Sequence, residues 1–519
     1  MRMKNRHAYF RSGLVMTTRR DFLKTVGLGA ASLLLPGCTH GLKSSGKDRR
    51  KLPNIVFIMA DDLGYGDVTC LNSDSKIPTP NLDRLASEGM RFTDAHSGSA
   101  VCTPTRYGVL TGRYCWRTRL KQGVLWGYSE PLVEPERMTV ASLLRRHGYR
   151  TACVGKWHLG LGWATIDGQK PNRNNVDYTK PIKAGPAALG FDYFFGIPAS
   201  LDMDPYVYIE NDRVTAPARE IIEGHGWPEF YRGGPAAPGF KHEEVMPTLT
   251  EKAVEFIEKH QSQSPGRPFF LYFPLTAPHT PILPTEQFRG RSKAGKYGDF
   301  VVQVDWMAGQ VMNALAKNGV ADNTLIIFTS DNGPEKGMEQ RIEEYAHHSS
   351  YHFRGKKRDI WDGGHRIPFI VRWPARIRAN TVSDQTICLT DLMATAAEIV
   401  GVKLAENAAE DSYSILPAML DEYLTKPIRE AVVHHSSTGE FAIRRDRWKL
   451  ILCRGSGGNR YETGPNVIKQ DDPPGQLYDM KDDYSEKKNL YNGRPEIVER
   501  LSDLLEKYKR QGYSRPPIR

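Results

Sequence analysis

Residues 54–62 read Asn-Ile-Val-Phe-Ile-Met-Ala-Asp-Asp, and this stretch decides the class of fold. Its first part, Asn54–Met59, is a short apolar run that predicts a strand buried on both faces. From Leu52 onward such runs alternate with amphipathic helices, which is typical of an α/β domain with a large, mainly parallel sheet flanked by helices. Asp61 and Asp62 follow the strand directly, at the sheet edge where open α/β folds bind ligands.

The remaining pattern divides the chain into a large α/β domain, residues 52–425, and a smaller C-terminal domain, residues 426–519. In the first we predict helices at 81–88, 139–147, 248–260 and 299–317, and further strands at 150–154, 268–273, 324–329 and 367–373. Residues 160–245 are rich in Gly, Pro and Asn, and we expect long surface loops there. After residue 425 we predict short strands at 431–435, 441–444, 449–453 and 476–478 and a helix at 495–508, forming an antiparallel sheet plus a helix.

The positive charge of the chain lies in a short leader. The sequence has 71 Lys and Arg against 60 Asp and Glu, a formal charge of +11. Residues 1–51 alone hold twelve Lys and Arg and two Asp and Glu, which leaves the other 468 residues at a net +1. A nearly neutral body argues against a nucleic-acid partner.

Residues 18–24, Thr-Arg-Arg-Asp-Phe-Leu-Lys, precede a short apolar stretch at 26–35. The stretch is too short to span a bilayer, and a charged segment before an apolar one indicates a signal peptide. The paired arginines resemble a bacterial twin-arginine export signal, which implies that the chain meets the export machinery. We expect a periplasmic or cell-surface protein. Met1 and Met16 both fit as its first residue.

Residues 35–38, Leu-Pro-Gly-Cys, resemble a lipobox that would make Cys38 a lipidated N-terminus. Pro36 departs from the usual residue there, so a plain cleavage site near Cys38 stays an alternative. We therefore assign residues 1–38 to the signal peptide and residues 39–51, which are polar and contain glycine, to a flexible tether. Contact with a membrane is expected only through that lipid anchor.

The seven cysteines do not follow a metal-binding or disulfide-framework pattern; they stand at positions 38, 70, 102, 115, 153, 388 and 453. The absence of CxxC spacing argues against both a zinc site and a dense disulfide scaffold. One disulfide is compatible with export, but its pairing cannot be assigned from the sequence.

Residues 102–112 read Cys-Thr-Pro-Thr-Arg-Tyr-Gly-Val-Leu-Thr-Gly and combine a nucleophile with a helix start. Pro104 suits a first helical turn, so Cys102 would lie at a helix N-terminus, where backbone N–H groups and the helix dipole favour an anion. Arg106, one turn further on, is expected to reach the same anion. The alternative is a structural cysteine that begins an ordinary helix.

Four predicted strands end in polar residues that are expected to meet at one edge of the sheet. They are Asp61 and Asp62, Lys156 and His158, His279, and Asp331 and Asn332. Three carboxylates and an amide form a hard oxygen set that suits Ca²⁺, with Mg²⁺ as the second choice. Each motif also has an ordinary explanation, since Asp-Asp can cap a helix and Asp-Asn-Gly is a common turn.

The order of these elements resembles the sulfatase family, specifically the arylsulfatase A-like, formylglycine-dependent members of the alkaline-phosphatase-like superfamily. The resemblance covers residues 52–375 and includes Arg354-Gly355-Lys356-Lys357 before Trp361-Asp362-Gly363-Gly364, where Asp362 replaces the more usual Glu. It implies that a maturing enzyme oxidises Cys102 to formylglycine. It also implies Ca²⁺ ligands at Asp61, Asp62, Asp331, Asn332 and modified Cys102.

The resemblance also implies a mechanism. A hydroxyl of hydrated formylglycine at position 102 attacks sulfur, and the sulfuryl charge is neutralised by Lys156, Lys357 and Arg106. His279 is expected to protonate the leaving oxygen and His158 to orient or deprotonate the hydrate, and the two roles could be exchanged. Lys156, His279 and Lys357 would contact the substrate sulfate.

The predicted function is sulfate ester hydrolysis, with two alternatives. One is a phosphonate or phosphate-ester hydrolase of the same superfamily; the other is an exported binding lipoprotein whose Cys102 stays unmodified. Export and large polar loops favour a sulfated carbohydrate, such as a 6-sulfated N-acetylhexosamine or galactose. Residues 200–206 and 225–228 either contact the sugar ring or pack the loops, and His347, His348 and His352 are expected near the mouth of the site.

Overall fold

The central strand of the fold, β1 (Asn54–Asp61), is buried along its whole length. The computed structural model describes residues 51–335, 337–422 and 424–516. The predicted signal peptide, Cys38 and the tether up to residue 50 lie outside these residues. Successive side chains of β1 enter two different apolar clusters: Ile55, Phe57 and Met59 enter one, and Val56, Ile58 and Ala60 the other. This alternation follows from the two-residue period of a strand, and it places β1 between two helical layers.

The other strands, in chain order, are β2 (Met90–Phe92), β3 (Ala95–His96), β4 (Arg150–Lys156), β5 (Tyr193–Ile197), β6 (Ile209–Glu210), β7 (Arg213–Val214), β8 (Glu220–Ile222), β9 (Gly234–Ala236), β10 (Phe269–Pro278), β11 (Thr324–Ser330), β12 (Phe369–Arg372), β13 (Thr381–Ser383), β14 (Ile387–Cys388), β15 (Val432–His435), β16 (Phe441–Arg445), β17 (Trp448–Ile451) and β18 (Gln476–Asp479). Ten of them form one sheet in the order β13-β2-β12-β11-β1-β10-β4-β5-β6-β7.

The five central strands of this sheet, β11, β1, β10, β4 and β5, run parallel to one another. The neighbours on either side, β12 and β6, run antiparallel. The predicted fold class, a large and mainly parallel sheet with flanking helices, is therefore confirmed. Because the five central strands point the same way, their carboxyl ends meet at one edge.

The helices are α1 (Pro80–Ser87), α2 (Cys102–Thr111), α3 (Val140–Arg146), α4 (Val245–Gln263), α5 (Gly295–Lys317), α6 (Met338–Tyr345), α7 (Asp362–His365), α8 (Leu392–Ile399), α9 (Leu416–Met419) and α10 (Pro495–Gln511). α2, α3 and α8 cover one face of the large sheet, and α1, α4 and α5 cover the other. The capping box between Thr139 and Ser142 starts α3 where the sequence predicts a helix.

The C-terminal part carries a four-stranded antiparallel sheet in the order β15-β16-β17-β18. One of its faces packs against α10 through Leu501 and Leu505, and the other face contacts Ile360 and Trp361. The predicted small α+β appendage is present, and residues from Leu52 on form one compact unit. The domain boundary at residue 425 stays a prediction.

The expectation of long surface loops over residues 160–245 is wrong in one respect. Tyr193–Ile197 forms β5, the fifth parallel strand of the large sheet, and Phe194 is fully buried there. The run is only five residues long and follows Gly190, so it shows too little periodicity to be recognised as a strand. Its position depends on pairing with β4.

Two further findings bear on the prediction of export without testing it. No helix in the described part of the chain is both long and apolar enough to cross a membrane. The six cysteines from Cys70 to Cys453 are all thiols, so no disulfide joins any two of them.

Candidate active site

The polar residues predicted at the strand ends gather at one edge of the large sheet. Asp61 ends β1, Lys156 ends β4, and Asp331 directly follows β11. Asp62 adopts a left-handed backbone conformation, with φ of 68°, which turns the chain immediately after β1. Its backbone N–H donates to Asp331 Oδ1 at 3.2 Å, so the ends of neighbouring strands are tied together.

The carboxylates and the amide form a buried oxygen cluster with unsatisfied acceptors. Asn332 Nδ2 donates to Asp62 Oδ1 at 2.7 Å. Asn332 Oδ1 and Asp61 Oδ1, although buried, have no hydrogen-bond partner among the described residues. Buried oxygens without partners are costly unless a ligand satisfies them, and an all-oxygen donor set suits a hard divalent cation. The residues present therefore fit one metal ion.

Cys102 lies beside this cluster as the first residue of α2. Its Sγ and one carboxylate oxygen each of Asp61 and Asp331 lie within 4.8 Å of one another. Burial raises the pKa of the Cys102 thiol above its usual value, although the positive charges of Lys156 and Lys357 oppose the shift. As predicted, the helix N-terminus points residue 102 at a site built for charged groups.

Three cations compensate the carboxylates, and each is buried. Lys156 Nζ lies 2.6 Å from Asp61 Oδ2, and Lys357 Nζ lies 2.7 Å from Asp62 Oδ2. Burial on its own would raise the pKa of Asp61, but the charges of Lys156, His279 and Arg106 together hold it far below its usual range. Burial and the neighbouring charge of Asp61 raise the pKa of Asp331 to about 6.

Arg106 occupies a different position from the one the sequence suggested. Its Nε and Nη2 both donate to Asp331 Oδ2, at 3.0 and 2.7 Å, and its Nη1 donates to the Lys156 carbonyl. The guanidinium is fully buried, because one turn into α2 the side chain points at the sheet. Arg106 therefore orients Asp331 and compensates its charge, and it does not line the cavity above residue 102.

Of the two predicted histidines, His279 lines the cavity above residue 102 and His158 does not. His279 follows β10 and lies at the cluster, with Nε2 3.7 Å from Asp62 Oδ2 and Nδ1 donating to the Thr280 carbonyl at 2.7 Å. His158 is fully buried; its Nε2 contacts the Leu125 carbonyl at 2.8 Å, and its Nδ1 has no partner among the described residues. Burial, followed by the charges of Lys156 and Arg106, holds the pKa of His158 well below its usual value.

A cavity of about 490 Å³ opens above residue 102. Its floor is formed by Cys102, Lys357, His279 and Ser200. The walls include Asp202 and Met203, which with Ser200 belong to the predicted stretch 200–206. Five further lining residues belong to no motif recognised in the sequence: Trp126, Phe230, Arg232, Glu335 and Arg358. The added residues lie on loops without a recognisable motif, so only their convergence in the fold reveals them.

Glu335 and Arg358 form one of the charged flanks of the cavity. Glu335 Oε2 lies 3.0 Å from Lys357 Nζ, and Glu335 Oε1 accepts from Arg358 Nη1. No sequence motif pointed to Glu335, which follows the Asp-Asn-Gly-Pro turn. The contact fixes the lysine at the cavity floor.

Asp362 is not part of the cavity. It begins α7, and its Oδ1 lies 2.8 Å from the buried Nζ of Lys449 on β17. The same Nζ lies 2.8 Å from Glu486 Oε1 and 3.1 Å from His365 Nε2. Asp362 therefore connects the large sheet region with the C-terminal sheet.

The expectation that three histidines lie near the mouth of the site is wrong. His347 is buried and contacts Asp67 Oδ1 at 2.7 Å. His348 and His352 line a separate cavity of about 560 Å³ together with Tyr351 and Tyr484. Closeness to Lys357 along the sequence therefore does not bring these histidines to the cavity above residue 102.

A parallel sheet with a carboxylate cluster, a nucleophile at a helix N-terminus and buried lysines defines a hydrolase that acts on anionic esters. The family model described as Sulfatase matches residues 53–402, and the model described as N-sulphoglucosamine sulphohydrolase, C-terminal, matches residues 351–511. The chain belongs to the sulfatase family and is an enzyme that hydrolyses sulfate esters.

Two relatives illustrate the similarity. The chain is 35% identical to an N-acetylgalactosamine-6-O-sulfatase of Bacteroides thetaiotaomicron, over 92% of this chain and 97% of that protein. It is 32% identical to arylsulfatase A of Homo sapiens, over 92% of this chain and 90% of that protein.

Solved structures show the same fold. A structure solved for the metabolism of multiple glycosaminoglycans by Bacteroides thetaiotaomicron matches with a TM-score of 0.77 at 34% identity, and covers 88% of this chain and 99% of the other. The structure of Ps i-CgsB in complex with a neocarrahexaose matches with a TM-score of 0.66 at 25% identity, and covers 88% and 92%.

Proposed function

We propose that this sulfatase is a formylglycine-dependent, calcium-binding enzyme whose substrate is a sulfated carbohydrate. The observation that carries the proposal is the charge arrangement around residue 102. Three buried carboxylates face three buried cations, so the cluster is neutral before any ligand binds; the groups are Asp61, Asp62, Asp331, Arg106, Lys156 and Lys357. A divalent cation would leave an excess of +2, which favours an anionic substrate.

Asp61, Asp62, Asp331 and Asn332 would hold the cation next to residue 102. When bound, Ca²⁺ supplies Lewis-acid stabilisation of a sulfate oxygen, and oxidised residue 102 supplies an oxygen nucleophile. The unsatisfied Asn332 Oδ1 and Asp61 Oδ1 support this donor set. Mg²⁺ is the alternative cation.

The protein side chains would bind the sulfate group and transfer the protons that the reaction requires. Lys357 Nζ, on the cavity floor, would neutralise charge on the sulfuryl oxygens, and Lys156 would support it from behind Asp61. His279 Nδ1 donates to the Thr280 carbonyl, which leaves Nε2 as the ring nitrogen that faces the cluster. As an imidazolium with a proton on each nitrogen, His279 would protonate the leaving oxygen from Nε2 and keep the proton on Nδ1. His158, which is neutral, fully buried and not part of the cavity lining, suits a proton-accepting or orienting role through Nδ1.

The substrate class follows from the relatives and from the cavity. The N-acetylgalactosamine-6-O-sulfatase relative aligns with nearly the whole of this chain, and one structural neighbour was solved in complex with k-i-k-neocarrahexaose. A cavity of about 490 Å³ with polar and aromatic walls has the size of a small-ligand site. We infer a 6-sulfated N-acetylhexosamine or galactose as the substrate.

One set of measurements tests the proposal. Enzyme produced with a sulfatase-maturing enzyme should carry an aldehyde at residue 102 by mass spectrometry, and Cys102→Ala should be inactive. A panel of sulfated mono- and oligosaccharides should show highest turnover with 6-sulfated sugars, and phosphate analogues should be turned over much more slowly. A thiol alone at residue 102 in active enzyme would contradict the proposal, as would faster turnover of the phosphate analogues.

Export and lipidation are part of the same proposal. The twin-arginine-type leader and the Leu-Pro-Gly-Cys38 stretch support a periplasmic or cell-surface enzyme attached through Cys38. Because twin-arginine export carries folded protein, Cys102 would be oxidised before export. Fractionation of the native host, with mass spectrometry of Cys38, tests the location and the anchor.

A further inference from the structure

The lining of the cavity above residue 102 also contains a buried carboxylate, Asp202, with an unused acceptor. Asp202 lies two residues after Ser200, whose Oγ accepts from Lys156 Nζ at 3.2 Å and lies 3.5 Å from His279 Nδ1. The segment therefore runs from the anion-binding floor to the wall. Asp202 is only 5% exposed, and its Oδ1 has no hydrogen-bond partner among the described residues.

Arg232 fixes the orientation of Asp202. Its Nη1 donates to Asp202 Oδ2, and its backbone N–H donates to the Asp202 carbonyl at 3.1 Å. The guanidinium carbon lies 4.8 Å from the ring centroid of Trp126 and 5.1 Å from that of Phe230. The arginine thus contacts two aromatic rings, and one oxygen of the Asp202 carboxylate is already compensated by its charge.

The remaining oxygen suits a neutral donor. Because Arg232 supplies the positive charge, Asp202 Oδ1 does not require a cation; it requires one hydrogen-bond donor. Burial tends to raise the pKa of Asp202, but the charges of His279 and Arg232 hold it below the usual value, so the acceptor is ionised. The adjoining wall offers the apolar surfaces of Trp126 and Met203.

A hydroxyl group next to an apolar C–H face is the pattern of a sugar ring. We infer that Asp202, positioned by Arg232, is a specificity-determining residue that accepts a hydrogen bond from a ring hydroxyl of the sulfated sugar. The inference rests on the proposed carbohydrate substrate and names a contact separate from the sulfate group itself.

The test compares Asp202→Ala and Asp202→Glu with the wild-type enzyme. Asp204→Asn is the matched control, since Asp204 lies on the same segment, pairs with Arg173 and also has a buried oxygen without a partner, but does not line the cavity. The substrate is N-acetylgalactosamine 6-sulfate, or the sulfated sugar of the panel that the wild type hydrolyses fastest. Inorganic sulfate serves as a competitive inhibitor that reports on the anion site alone.

We expect kcat/KM for the sugar to fall about 10- to 100-fold in both Asp202 variants, since a hydrogen bond to a charged group is lost or displaced. The inhibition constant of inorganic sulfate should change less than about threefold, and Asp204→Asn should change neither quantity by more than that. A monodeoxy sugar sulfate lacking the contacted hydroxyl should be hydrolysed equally well by wild type and Asp202→Ala.

Three results would contradict either the role of Asp202 or the proposed substrate class. If kcat/KM for the sugar stays within threefold of wild type, or if sulfate inhibition weakens in parallel with it, Asp202 does not recognise a hydroxyl. Asp202→Glu, which keeps the charge, provides the same readout if the alanine variant does not fold. If the wild type hydrolyses none of the sulfated sugars, the proposed substrate class is what fails.

Discussion

Replacing Lys449 with methionine tests how the C-terminal sheet is held to the rest of the enzyme. Lys449 is fully buried, and its Nζ lies 2.8 Å from both Asp362 Oδ1 and Glu486 Oε1. Methionine has a similar volume, so the change removes the charge and leaves the packing nearly intact. Asp362 keeps its 2.9 Å contact with Arg366, whereas Glu486 keeps only the backbone N–H of Asp362.

The size of the effect follows from these contacts. Breaking a buried ion pair by removing one partner costs about 3–5 kcal/mol. An unfolding entropy of about 2.1 cal/mol/K per residue amounts to about 1 kcal/mol/K over the compact unit that begins at Leu52. We therefore expect Lys449→Met to lower the Tm by about 3–5 °C at pH 8.

The effect should depend on pH. Burial and the neighbouring charge of Asp362 raise the pKa of Glu486 to about 7, against an ordinary value of 4.5. A carboxyl group with a raised pKa contributes stability that is complete below its unfolded pKa and is lost as the pH rises through the folded value. At pH 5.5 Glu486 is neutral, so Lys449 compensates one buried negative charge fewer than at pH 8. The loss of Tm caused by Lys449→Met should therefore be clearly smaller at pH 5.5 than at pH 8.

Differential scanning calorimetry of the full chain at both pH values measures these shifts. The double variant Lys449→Met, Glu486→Gln should recover about half of the loss at pH 8, since the uncompensated carboxylate is gone. Lys488→Met, on the exposed surface nearby, should stay within about 0.5 kcal/mol of wild type. A fall of less than 1 °C at pH 8, or equal shifts at the two pH values, would refute this account of the network.

Three further predictions concern the active site. Lys357→Ala should lower kcat about 10²- to 10³-fold by removing charge stabilisation at the cavity floor, while Lys357→Arg retains part of the activity in steady-state assays. Asn332→Ala should weaken Ca²⁺ binding about 10- to 100-fold, because it removes a proposed ligand and the contact that orients Asp62. Titration calorimetry measures this affinity, and an unchanged value would exclude Asn332 as a ligand. Gly333→Ala should abolish folding or activity, because a Cβ there would lie 1.8 Å from the Gly363 carbonyl oxygen. The control is Gly226→Ala, where a Cβ would meet no atom within 4 Å, and this variant should match the wild type in expression and turnover.

Much of the architecture was predictable because burial patterns are local. The periodicities predicted most of the central strands and α4, α5 and α10 to within a few residues of their observed bounds. β5 was missed, since a five-residue run between glycine- and proline-rich segments carries too little periodic signal.

The site residues were partly predictable. Polar residues after parallel strands meet at one edge for topological reasons, and Asp61, Lys156, His279 and Asp331 do so. The direction of each side chain was not predictable. Arg106 points at Asp331, 225 positions away, and not into the cavity.

Local sequence patterns were sufficient for the α/β class, for the start of α2 at Cys102 and for the oxygen donors at the strand ends, because each depends on residues within one or two turns of each other. Long-range packing was necessary for the rest. The pairing of Lys357 with Asp62 joins residues 295 positions apart. Asp202 is oriented at the cavity wall by Arg232, which in turn packs on the ring of Trp126. Such contacts depend on which loops the folded sheet brings together, and spacing along the chain does not encode them.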